Sequence, residues 1–215
     1  MNLGEMIDEF RVLSQDNFAP YFCGSDELIK WFNDAEAEAA IRARLIHDSD
    51  EIGISAGETH LALPARMFEI CYIELCDAAG TFFPIKESTR DVLDAETPGW
   101  RHRIERPEFY IVDDTEIVLG AIPDANYTLY VEFLRTPRAR LENSSDTPEI
   151  HPAHHEGLIQ WVLHKAFGKP DADLFDPVKS KDAESAFVRQ FGKRPTADLR
   201  KRQNANRPHR NRLHT

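Results

Sequence analysis

The hydrophobic period of this chain changes twice, and that alternation limits its fold more than any single motif does. Leu3, Met6, Ile7, Phe10 and Leu13 recur at helical spacing with Glu5, Asp8 and Glu9 between them, which predicts a short amphipathic helix. After the loop QDNFAPYFCG, Ser25 is placed to cap a second helix, with Asp26 and Glu27 in its first turn, where the helix dipole favours negative charge. Its stripe Leu28, Phe32, Ala35, Ala39, Ala43, Ile46 is narrow because of the alanines, and suits close packing on another helix. From about Glu51 the period becomes two. EIGISA and THLAL alternate and are joined across Ala56-Gly57-Glu58, a hairpin signal, and Pro64 closes the second strand. RMFEICYIELC and TFFPI follow, broken at Asp77-Ala-Ala-Gly80, and then a short helix STRDVLDAE capped by Ser88 or Thr89. After the loop TPGWRHRIERP come EFYIVDD, EIVLGAI and YTLYVEFLRT, with turns at Asp113-Asp114 and at Pro123 to Asn126. Six or seven strands joined by short turns predict antiparallel meanders. Polar residues from Pro137 to Pro148 read as a linker, and helical spacing then returns. Pro152 opens a helix with the stripe His155, Leu158, Trp161, Val162, Ala166, ending at Gly168 and Pro170. Asp176-Pro177 opens another that runs through Ala183, Ala186, Phe187 and Phe191 to Gly192.

The expected class is therefore α+β. Neither helical pair has enough apolar face for its own core, so the two pairs should pack together as one bundle, residues 1–50 with 138–192. An antiparallel β domain, 51–137, is inserted between them, and an extended basic tail, 193–215, follows. The charge divides along the same lines. The 215 residues hold 26 Lys and Arg against 37 Asp and Glu, net −11. Lys193, Arg194, Arg200, Lys201, Arg202, Arg207, Arg210 and Arg212 face one acid in the tail, Asp198, which makes the tail +7 and the remainder −18. Ala197, Leu199, Ala205 and Leu213 are the tail's aliphatic residues, too few for a core of its own.

The start MNLGEMIDEFRVL lacks a basic n-region and an apolar core, and no apolar run reaches the length of a membrane span, so synthesis in the cytosol and no membrane partner are expected. Cys23, Cys71 and Cys76 suit neither a disulfide framework nor a four-ligand zinc site and read as core residues. In the cluster His151, His154, His155, Glu156, position 159 is isoleucine, which breaks the H-E-x-x-H pattern. A helix start with one core-facing histidine explains it better than a metal. Asp113, Asp114 and Glu116 match no calcium loop and are ordinary turn residues. The chain has no G-x-S-x-G, no P-loop and no G-x-G-x-x-G, so neither a catalytic centre nor a cofactor is expected. Trp100, Arg101, His102, Arg103 and Arg106 describe a solvated loop anchored by a buried tryptophan. Because Trp and Arg are enriched at interfaces, Trp100, Arg101, Arg103 and Arg106 are the candidates for subunit contact.

Taken in order, four strings resemble the head-tail adaptor (connector) proteins of tailed bacteriophages, closest to the podovirus type. They are Ser25-Asp-Glu-Leu-Ile-Lys-Trp-Phe-Asn-Asp-Ala, Ser55-Ala-Gly-Glu-Thr-His-Leu-Ala-Leu-Pro64, His155-Glu156 in an apolar helix with Trp161, and Lys169-Pro-Asp-Ala-Asp-Leu-Phe-Asp-Pro177. The similarity spans about residues 3 to 195. It implies a structural virion protein: twelve copies in a ring below the portal, joined to a tail or nozzle protein, surrounding the channel for genomic DNA. It also implies that the C-terminal segment reaches the portal. A negative body would let DNA slide past while a positive tail docks on an acidic partner. Two other classes stay open at this point: a DNA-binding protein using the basic tail, and a cell-wall or nucleic-acid hydrolase with paired carboxylates or a metal.

Overall fold

Side-chain caps set most of the helix starts. The computed structural model describes residues 1–170 and 173–195. Asn2 begins α1 (Leu3–Ser14) with a reciprocal capping box: its Oδ1 accepts from Glu5 N at 2.8 Å and the Glu5 carboxylate accepts from Asn2 N at 2.9 Å. α2 (Ser25–Ala43) corrects the expected cap, because Gly24 holds the cap position without a side-chain bond and Ser25 is already in the first turn. Asp26 and Glu27 lie in that turn as expected, and Arg44, in the left-handed region at φ 54°, ends the helix before Ile46. Thr89 caps α3 (Arg90–Glu96). A 3-10 turn, Pro152–His154, leads into α4 (His155–Phe167), and the Asp176 carboxylate caps α5 (Pro177–Phe191) by accepting from Val178 N and Lys179 N, each at 3.0 Å.

Two compact units result. The first comprises Met1–His47 and Leu134–Arg194. Its core draws Leu3, Met6 and Phe10 from α1, Leu28, Phe32 and Ala39 from α2, Leu158 and Val162 from α4, and Phe187 and Phe191 from α5. Trp161, Phe187 and Phe191 stack in sequence, with centroids 4.9 and 4.6 Å apart.

The stretch expected to be a polar linker is instead a strap bound to this core. The Asn33 carboxamide treats Leu141 as a neighbouring strand would: Nδ2 donates to Leu141 O and Oδ1 accepts from Leu141 N, both at 2.9 Å. Glu36, 1% exposed, accepts from Glu149 N at 2.5 Å and Ile150 N at 3.3 Å. At the other side Leu3 N donates to Asp146 O and Gly4 N to Ser144 O, both at 2.8 Å. A Cβ at Gly4 would come within 3.2 Å of Ser144, so a larger residue there would push the strap away by a few tenths of an ångström. Polar composition hid this packing because the main chain, not the side chains, makes the contacts; Leu141 and Ile150 supply the buried apolar surface.

The second unit covers Asp48–Phe133. Its strands are β1 (His47–Ile54), β2 (His60–Ala62), β3 (Met67–Cys76), β4 (Phe82–Pro84), β5 (Lys86–Glu87), β6 (Phe109–Val112), β7 (Glu116–Leu119) and β8 (Tyr127–Arg135). They form two sheets in the orders β1-β8-β3-β4 and β2-β7-β6-β5. The expected meander is therefore corrected. β1 and β2 are not a hairpin but belong to different sheets, and β2 pairs with β7 in the register Leu61↔Ile117. The reason lies in the intervening turn. Gly57, at φ 87°, bonds Pro123 O through its N at 2.9 Å, and Ala56 N bonds Asn126 Oδ1 at 2.9 Å, so the turn is tied to a distant loop. TFFPI supplies only β4, and past Ile85 the chain changes sheets into β5, which pairs with β6 in parallel. β3 and β4 do form the expected antiparallel pair: Asp77 Oδ1 accepts from Ala79 N and Thr81 N at 2.9 Å, and Gly80 takes φ 80°. Ile54, Leu61, Ile73, Leu75, Ile117, Leu129, Val131 and Phe133, from both sheets, share one core.

The strap gives a test with a defined sign. Burial raises the Glu36 carboxyl above its ordinary value. A raised folded-state value means that the carboxyl's contribution to stability is full below the ordinary glutamate value of about 4.3 and is lost as pH rises through the raised value. Glu36→Gln keeps the acceptor for both N–H groups, so thermal melts should show it at least as stable as the parent at neutral pH, with the advantage vanishing toward about pH 4. Glu36→Ala orphans both donors and should cost about 2 kcal/mol in urea unfolding.

Candidate functional site

The loop around Trp100 is built inward from one carboxylate. Trp100 lies in a 3-10 turn, Trp100–His102, and is 4% exposed in a small core with Leu93, Ile111 and Val118. Asp94 of α3 accepts from Trp100 Nε1 at 2.8 Å and holds the Arg101 guanidinium with both oxygens. Those bonds, Arg101 first and Trp100 second, hold the Asp94 carboxyl below the usual range. Arg101 also lies over the Trp100 ring, 4.3 Å from its centroid. Arg103 donates to Pro98 O at 3.4 Å, while Arg106 covers the Phe83 ring at 4.0 Å and approaches Glu108 at 3.8 Å. The anchored, solvated loop expected from sequence is what forms. The structure brings Trp100 and Arg101 together on Asp94, a partner the sequence did not single out, and places Arg103 and Arg106 on separate local contacts.

The other candidate chemistry is absorbed by structure. His155 is fully buried, and its ring nitrogens face Met1 O at 2.9 Å and Ile150 O at 2.8 Å, which leaves neither for a ligand. Ser180 and His164 sit 3.0 Å apart, but the serine hydroxyl donates to His164 O at 2.9 Å and His164 Nδ1 faces Ser180 O at 3.1 Å. Both groups thus engage main-chain carbonyls and tie α4 to α5. Asp113 closes a turn with Glu116 O at 2.9 Å, and Arg90 grips its carboxylate with both guanidinium nitrogens and holds it below its ordinary value. Among the described residues no group of three His, Cys, Asp or Glu is arranged to hold a metal ion. Cys23 and Cys76 are buried, and burial pushes the Cys23 thiol up to about 11. Cys71 is exposed, which corrects its assignment to the core: alternation puts it on the Ile73 side of β3, but it is not covered there. Among the described residues no helix is long and apolar enough to cross a membrane.

One surface was missed. Outward positions of β1, β8 and β3, with Asp50 beside them, line a concavity of about 520 Å³ that includes Asp50, Glu51, Tyr72, Glu74, Tyr130 and Glu132, four acids and no base. Tyr72 donates to Glu74 Oε2 at 2.7 Å, and that bond raises its phenol; Glu51 raises Tyr130. Phe82 extends the aromatic surface, 5.4 Å from Tyr130 and 51% exposed. The signal was present in the alternation: Tyr72 and Glu74 flank inward Ile73, and Tyr130 and Glu132 flank inward Val131.

Of the tail candidates, Lys193 and Arg194 are described and both are exposed. Arg194 pairs with Glu38 of α2 at 2.9 Å, and the same carboxylate takes Arg42 at 2.9 Å. Arg200, Lys201, Arg202, Arg207, Arg210 and Arg212 lie outside the described residues.

The profile of the SU10 adaptor protein family matches residues 1–212. The chain therefore belongs to that family, which is one of phage structural adaptors. No curated protein sequence matches it.

Substitution separates the loop's anchor from its exposed charges. Trp100→Ala should cost about 3–5 kcal/mol in urea unfolding because it empties a packed aromatic site. Arg101→Ala, at an exposed position, should leave the unfolding midpoint nearly unchanged; a comparable loss would mean that Arg101, and not the ring, holds the loop.

Proposed function

We propose that this member of the SU10 adaptor family forms a closed ring below the portal and links the capsid to a tail or nozzle protein, with genomic DNA passing through its channel. The family match across residues 1–212 carries the reading. Twelve copies is the number implied by the podovirus-type adaptors that the sequence resembles. In this role residues 1–50 and 138–192 are the helical bundle that packs around the ring, 51–137 the inserted β domain, and 193–215 the arm that engages the portal. The protein works in the virion neck after assembly from the host cytoplasm, needs no cofactor and does not meet a membrane.

Charge supports this reading. The −18 carried by residues 1–192 repels phosphate, so DNA can move past without being gripped, whereas the +7 of 193–215 favours an acidic partner. A closed ring also needs two unlike faces on each copy. The loop of Trp100, Arg101, Arg103 and Arg106 is suited to be part of one, since a buried tryptophan fixes it while its arginines stay at the surface. The basic stretch Lys193, Arg194, Arg200, Lys201, Arg202, Arg207, Arg210 and Arg212 is the portal-binding segment.

Electron microscopy of the full chain mixed with its portal should show rings seated on the portal. Deleting residues 193–215 should weaken portal binding at least about tenfold at physiological salt, because charged interface contacts are lost. Unchanged binding would remove the docking role. Tight duplex binding by the isolated chain, with a steep salt dependence, would favour a DNA-binding protein instead.

A further inference from the structure

The acidic face of the β1-β8-β3-β4 sheet has no task in the mechanism above, and it has the wrong composition for a surface that merely faces water. It pairs negative charge with exposed rings: Tyr72 is 46% and Phe82 51% exposed, beside Glu51, Glu74 and Glu132. Carboxylates alternating with aromatic faces receive arginine and lysine in two ways, by charge and through the ring quadrupole. The chain itself uses the second contact repeatedly, with Arg11 over Tyr21 at 3.5 Å and Arg106 over Phe83 at 4.0 Å.

We propose that this sheet face receives the segment around Arg200-Lys201-Arg202 from a second copy of the chain, so that each subunit in the ring gives one basic arm and takes another. The inference rests on the ring reading and adds a subunit contact to it. Three things select the occupant. The concavity holds four acids and no base, and the arm holds eight bases and one acid. The arm leaves from a fixed point, because Arg194 is tied to Glu38. From Pro195 to Arg202 an extended chain reaches about 26 Å at roughly 3.3 Å per residue, more than the roughly 15 Å across four strands spaced about 4.8 Å apart. A contact in which one surface gives and a different one receives is head-to-tail, which is the kind that closes a ring. The contact narrows the portal-binding segment: Arg200, Lys201 and Arg202 go to the neighbouring copy, and Arg207, Arg210 and Arg212, beyond them in the chain, go to the portal.

The test places a photo-crosslinking benzoyl-phenylalanine at position 203 in place of Gln203 in the full chain, assembled on the portal from an equal mixture of light and heavy-nitrogen copies. Mass spectrometry should find crosslinks between a light and a heavy copy, ending in the peptides that hold Tyr72 to Glu74 or Tyr130 to Glu132. The combined Glu51→Gln, Glu74→Gln, Glu132→Gln variant should lower their yield at least about tenfold. These side chains lie on the solvent side of the sheet; if the variant nevertheless unfolds, Arg200→Glu with Arg202→Glu should lose the crosslink and Glu74→Arg with Glu132→Arg should restore it. Crosslinks within one copy, to the portal alone or to DNA, or a yield indifferent to both sets of substitutions, would overturn the proposal and leave the ring standing. Failure of the chain to assemble on the portal at all would overturn both readings.

Discussion

The first unit depends on main-chain groups of the returning segment finding partners on α2. Its core joins helices separated by more than eighty residues of β structure, so the chain must come back to the helices it left. It does so along a strap whose N–H and C=O groups would otherwise be buried and unpaired. Asn33 satisfies both groups of Leu141, and Glu36 satisfies two successive donors at Glu149 and Ile150. A buried carboxylate is costly unless hydrogen-bonded, and here the two donors offset part of the desolvation that raises it. Arg135 adds a grip on Glu149, whose carboxyl is held low by that pairing. Once the strap is seated, α4 and α5 can bury Leu158, Val162 and Phe187 against α1 and α2.

Charge in this molecule is spent in two ways. Inside each unit, acids and bases meet in local pairs: Arg90 with Asp113, Arg101 with Asp94, Lys169 with Glu27. Such half-exposed pairs orient loops more than they stabilise them. Outside these pairs an excess of acid remains, and part of it is concentrated on one sheet face with aromatic neighbours. Like charges held close on a surface keep a standing negative potential, and a surface of that kind selects its neighbours by sign.

How far the sequence could be read varied with the range of the interaction involved. Five helices were legible because their signals are local: the Asp176-Pro177 start, the acidic first turn at Asp26 and Glu27, and the stripe through Leu158 and Val162. The buried side of His155 was legible for the same reason, as was the anchoring of Trp100. Strand partners were not. The Gly57 turn looks like a hairpin when read locally, yet its bonds go to Pro123 and Asn126, and Ile85 gives no sign that the chain changes sheets there. Asp94 beneath Trp100, the exposure of Cys71 and the strap at Leu141 were hidden likewise, since each depends on a partner or a strand face that spacing alone does not define.

The sequence by itself determined where the period changes from helix to strand and back, which residues point inward along the helices, and that negative charge fills the body while positive charge ends the chain. These follow from neighbours within a turn or two, where propensity and capping act. Tertiary structure alone decided which strands share a sheet, that the polar stretch before α4 is packed, and that Glu51, Glu74 and Glu132 converge on one face. The physical reason is that a backbone hydrogen bond or a patch of potential depends on distance in space, and residues 51, 74 and 132 become neighbours only when β1, β8 and β3 are side by side.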